Sequence, residues 1–89
     1  MSLEELRDEI EEIDREIVES IARRTYVVES IAEVKKERGM EIHDPKREEV
    51  VLNRVAERAE ALDVDPEDVR EVFELLMDIS KKEQRRHTD

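Results

Sequence analysis

Arg24 and Lys35 stand eleven residues apart, with Val28 and Ile31 between them at helical spacing. Eleven steps of about 100° come to roughly three full turns, so all four side chains share one face of a helix. That face should be apolar from end to end. A cation held there is costly unless something anionic meets it, so the pair asks for an anionic ligand. Further polar residues fall at inward positions elsewhere. Asp44, Arg47, Glu48 and Val51 are spaced i, i+3, i+4 and i+7, which sets acid, base and acid on a first helical turn, beside its free backbone N–H groups. Ser80 and Gln84 continue the stripe of Phe73 and Met77. Each has a plainer use when taken singly. Asp44 is a good N-cap, Glu48 is available to any lysine or arginine, and Ser80 and Gln84 suit a late helical turn facing water.

The elements that must position these groups are helices. Leu3, Leu6, Ile10, Ile13, Ile17, Ile21, Val27/Val28, Ile31 and Val34 recur in steps of three and four, the mark of one long amphipathic helix over about 3–38. Gly39 ends it. Asp44-Pro45 and Asp65-Pro66 are each an N-cap followed by a first-turn proline, which start a second helix at 45–61 and a third at 66–85. Val51, Leu52, Val55, Ala59 and Leu62 face inward on the second; Val69, Val72, Phe73, Leu76, Met77 and Ile79 do so on the third. The chain is a single domain, 1–89, of all-α class with three helices. A first helix of about 36 residues would be about 54 Å long, whereas a compact globule of this size is roughly 30 Å across. Its stripe runs almost the whole length, so the overhang needs cover from another chain. An intertwined homodimer with antiparallel long helices, forming a helical bundle, is the economical arrangement.

Composition narrows the function. Twenty-seven acidic residues against sixteen basic ones leave a net charge of −11, which argues against nucleic acid or an anionic membrane as partner. The Lys-Lys-Glu-Gln-Arg-Arg run at 81–86 reads as the usual cations at a helix C-terminus. There is no cysteine, so neither a disulfide nor a thiolate metal site is available. His43 and His87 have no ligand spacing, and no metal or other cofactor is expected. No glycine loop of the phosphate-cradling kind occurs. No apolar run approaches a membrane span and the first residues are too acidic for a signal peptide, so the expected location is cytoplasmic.

Taken together, Leu6-Arg7, Ile13-Asp14, Ala22-Arg23-Arg24, Val34-Lys35, Asp44-Pro45-Lys46-Arg47-Glu48 and Ser80-x-x-x-Gln84 resemble the all-helical (AroQ-type) chorismate mutases, in their free-standing single-domain form. The resemblance spans essentially the whole chain. It implies rearrangement of chorismate to prephenate in phenylalanine and tyrosine biosynthesis, without a cofactor. It also implies roles. Arg7 and Arg24 hold the substrate carboxylates, Lys35 and Gln84 donate to the ether oxygen, Arg47 with Glu48 attends the ring hydroxyl and nearby carboxylate, and Asp44 and Ser80 complete the wall. Arg24, Lys35 and Gln84 are the catalytic set. Asp14 matches as well, in a structural part.

Geometry adds a constraint of its own. Arg7 and Arg24 are seventeen residues apart on one helix, about 25 Å along its axis, too far for one small metabolite to touch both. An antiparallel dimer removes the difficulty by bringing Arg7 of the other protomer to Arg24 and Lys35. Two rivals are set against this reading. An isochorismate pyruvate lyase of the same fold would use similar cations, but matches the Asp44/Arg47/Glu48 and Ser80/Gln84 sets less well. A non-catalytic helical dimerisation module explains the stripe, but not the cations that interrupt it. Docking to another enzyme of aromatic biosynthesis is not legible in the chain.

Overall fold

The computed structural model describes residues 1–88, and every regular element among them is helical: α1 (Leu3–Arg38), α2 (Pro45–Ala61) and α3 (Pro66–Thr88). Local chemistry sets each boundary. Ser2 caps α1 by accepting from the Glu5 N–H at 3.1 Å, while its hydroxyl donates back to the Glu5 carboxylate at 3.3 Å, so cap and third residue satisfy one another. Gly39 ends α1 in the left-handed region at φ 64°, and the Met40 N–H then reaches back to the Lys35 carbonyl at 2.8 Å. Glycine takes that conformation without the Cβ clash that other residues meet. Asp44 caps α2, accepting from the Arg47 N–H at 3.2 Å, with Pro45 in the first turn. Asp65 accepts from the Glu67 N–H at 2.8 Å at the start of α3.

α3 runs to Thr88, three residues past the end expected from sequence. Its last turn has a partner that spacing along one helix does not reveal, Glu29 of α1. The His87 Nε2 lies 3.4 Å from Glu29 on α1 and 3.7 Å from Glu83, and Arg86 donates to Glu83 at 3.2 Å. His87 thus meets two carboxylates, one of them brought by α1.

α3 packs against both α1 and α2, which do not pack against each other among the described residues. The buried apolar core is small: Val28, Ala32, Ala56, Ala59 and Met77. The molecule is elongated, 54 × 24 × 14 Å with a radius of gyration of 16.1 Å, against about 12 Å for a compact chain of this length. The N-terminal half of α1 extends beyond anything the chain folds against it. Leu3, Leu6, Ile10, Ile13 and Ile17 keep between 43% and 61% of their surface exposed. Leu62, Val72 and Ile79, inward positions by periodicity, are also exposed within the single chain. The hydrophobic pattern is helical throughout, but one chain supplies a partner surface for only part of it.

Candidate active site

The shielded end of the molecule holds a cavity of about 290 Å³ between the C-terminal half of α1, the first turn of α2 and the C-terminal half of α3. Val28, Ile31, Ile42, Val51 and Met77 give it apolar walls. Set among them are seven of the eight residues singled out from sequence: Arg24, Lys35, Asp44, Arg47, Glu48, Ser80 and Gln84. The eighth, Arg7, does not line it. It is exposed near the start of α1, on the overhanging part of the helix.

Arg24 is aimed by α3. Its Nη1 donates to the Leu76 carbonyl at 3.3 Å and, more closely, to the Ser80 hydroxyl. That hydroxyl in turn donates to the Leu76 carbonyl at 2.9 Å. Ser80 therefore takes one bond and gives one, fixing the guanidinium in a half-buried position. Desolvation there lowers the Arg24 pKa below the ordinary guanidinium value, yet an arginine remains charged at any physiological pH. Lys35 spans α1 and the loop before α2, its Nζ donating to the Ile42 carbonyl at 2.9 Å. Because Gly39 turns the chain back one helical turn after Lys35, that carbonyl falls within reach of its ammonium.

Gln84 is the most buried polar residue of the cleft, only 6% exposed, and its Oε1 has no hydrogen-bond partner among the described residues. An amide carries two donors and an acceptor and can turn about its last bond to present either end. A buried polar atom left unpaired is uncommon and costly, so this side chain is poised for a polar ligand. Asp44 is held by its cap role at the cavity edge.

One polar group of the cleft escaped the sequence reading. Lys81 lines the cavity, and its Nζ lies 3.5 Å from Glu48 Oε2. The same oxygen lies 3.5 Å from the His43 Nε2. A signal for Lys81 was available. Met77, Ser80, Lys81 and Gln84 fall at i, i+3, i+4 and i+7, one helical stripe, but Lys81 also opens a run of cations suited to a helix end.

The cleft therefore offers several fixed cations and one buried amide within apolar walls. It is fit to bind a small polyanion. Comparison with known proteins bears on which one. The family model described as chorismate mutase type II matches residues 6–85. The chain belongs to this family. A chorismate mutase of Methanocaldococcus jannaschii is 31% identical over 87 residues, covering 98% of this chain and 88% of that protein. T-proteins of Enterobacter agglomerans and Haemophilus influenzae are 35% and 30% identical over 72 and 76 residues. The match spans only about a fifth of each T-protein's length, 19% and 20%. No solved structure matches the chain. Membership of the chorismate mutase family accords with the three-helix architecture, and the matched span reaches from Leu6, beside Arg7, to Arg85, just past Gln84.

Proposed function

We propose that this member of the type II chorismate mutases isomerises chorismate to prephenate in a cleft built jointly by two copies of the chain, in the cytoplasm. The observation that carries the reading is the gathering of Arg24, Lys35, Arg47 and Gln84, whose Oε1 has no partner among the described residues, around one apolar-walled cavity. The reaction is an intramolecular rearrangement in which one C–O bond breaks and one C–C bond forms, with no proton or electron transferred. It requires a flexible dianion to be held in its compact reactive conformer and negative charge growing on the ether oxygen to be stabilised.

Arg24, fixed by Ser80, suits the first task, because a guanidinium fork matches a carboxylate. Arg7 supplies the second fork from the partner protomer. In an antiparallel pair the overhanging half of α1 lies across the cleft of the other copy, and the bare stripe of Leu6, Ile10, Ile13 and Ile17 is covered in the same step. Lys35 and Gln84 serve the second task as donors to the ether oxygen. Lys35 exchanges its Ile42 carbonyl for the ether oxygen, and Gln84 presents its N–H₂.

The purified protein should consume chorismate faster than its spontaneous conversion, and should sediment at about twice its 10.6 kDa chain mass. Lys35→Ala should lower kcat by about 10²–10³, the usual cost of one donor to a developing oxyanion, while the helical content is kept. Chorismate left at its spontaneous rate, or a fully active Lys35→Ala variant, would overturn the assignment.

A further inference from the structure

We infer that Lys81 is a positioning residue of this site, which neutralises and aims the Glu48 carboxylate so that the cleft accepts a dianion. The inference rests on the chorismate mutase reading above and concerns a residue to which that reading gives no part. Glu48 poses a problem in such a cleft. It is a carboxylate with only 28% of its side chain exposed, facing the cavity that must receive two further carboxylates. Left alone it repels the substrate across a partly desolvated space, where like charges interact more strongly than in water.

Lys81 answers that charge. Its own side chain is 20% exposed, and its Nζ lies 3.5 Å from Glu48 Oε2. A second acid, Asp78, lies 3.7 Å away on the same helix but is 64% exposed, so solvent weakens its hold. The histidine sharing Glu48 Oε2 is 60% exposed on the loop before α2, so solvent weakens its hold as well. Lys81 is therefore the best-shielded counter-charge to Glu48. The net charge of the cavity lining depends on it. Arg24, Lys35, Arg47 and Lys81 set four cations against Asp44 and Glu48, an excess of two within one chain, to which the partner's Arg7 adds one more. Without Lys81 that excess falls by one, in a protein whose overall charge of −11 already repels the substrate. Its place is built in, because Ser80 turned toward Arg24 and Gln84 turned into the cavity fix the face of α3 that Lys81 shares.

Steady-state kinetics on chorismate test this with wild type, Lys81→Met, Lys81→Arg, Glu48→Gln and the Lys81→Met/Glu48→Gln double variant. Circular dichroism checks each fold, and Lys81→Gln replaces Lys81→Met if the latter does not fold. Repulsion acts on the ground state and the transition state alike, so Lys81→Met should raise KM about tenfold and leave kcat within about threefold. Lys81→Arg should restore most of the loss. In the Glu48→Gln background, where no carboxylate needs neutralising, Lys81→Met should change KM less than threefold. Three results overturn the role: an unchanged KM in Lys81→Met, a loss confined to kcat, or the same tenfold loss in the Glu48→Gln background. Wild-type protein inert toward chorismate would remove the assigned reaction and this role together. That failure shows before any substitution is made, so the two are told apart.

Discussion

At the scale of single residues, the informative feature is a cation kept where packing alone would choose a hydrocarbon. Arg24 illustrates the trade. Its guanidinium is half-buried, its pKa is lowered by desolvation, and its partners on α3 are uncharged. Replacing it by leucine removes a desolvation cost without orphaning anything, because Ser80 keeps its bond to the Leu76 carbonyl. Arg24→Leu should therefore be at least as stable as wild type, with a gain of no more than about 1 kcal/mol since the group retains solvent contact. The same variant should lose at least about a hundredfold in kcat/KM. Thermal unfolding beside kinetics decides it, and an active Arg24→Leu protein would show that the cation serves something other than turnover. The pH profile follows from the same chemistry. A base whose pKa is lowered by folding carries its stability penalty at every pH below the folded value, and is relieved only as pH rises through that value. For an arginine this lies far into the alkaline range. Arg24 thus contributes a constant charge and a constant penalty from pH 5 to 9, and Gln84 has no proton to lose. Activity should persist at pH 9 within about threefold of its value at neutrality; a requirement for a protonated acid, seen as a steep fall between pH 5 and 7 with the fold intact, would contradict the mechanism.

At the scale of elements, what the chain announces is where helices begin and end. Ser2, Gly39, Asp44-Pro45 and Asp65-Pro66 each act through backbone groups within four residues, so local sequence suffices to place them. The far end of α3 also meets Glu29, more than fifty residues earlier, and no local signal reports that contact. Lys81 escaped for a related reason. A cation late in a helix is favourable whatever it faces, so type and position do not separate the residue turned into the cleft from its neighbours in the run. Asp44 shows the converse, one side chain serving both element and site: it caps α2 and lines the cavity. Substitution can divide the two duties. Asp44→Asn keeps a competent cap, whereas Asp44→Ala should cost about 1 kcal/mol of stability. If both variants lose the same activity while only Asp44→Ala unfolds earlier, the carboxylate itself matters to the site. Full activity in Asp44→Asn would reduce Asp44 to its cap.

At the scale of the whole molecule, the structure leaves one expected site residue outside the cavity and one hydrophobic stripe outside any core, and a single arrangement accounts for both. Arg7 lies about 25 Å along α1 from Arg24, on the same overhang that exposes Leu6, Ile10, Ile13 and Ile17. If two copies align their long helices in opposite directions, each overhang delivers Arg7 to the other copy's cleft. The claim concerns which chain supplies the residue, so mixing defective subunits tests it. Arg7→Ala and Lys35→Ala should each be nearly inactive as homodimers. Unfolding and refolding an equimolar mixture makes half the dimers mixed. In a mixed dimer, one cleft combines the intact Lys35 of one protomer with the intact Arg7 of the other, while the second cleft carries both lesions. One cleft in four is then whole, and about a quarter of wild-type activity should return. Were Arg7 to act within its own chain, every cleft of the mixed dimer would carry one lesion, and mixing would restore nothing.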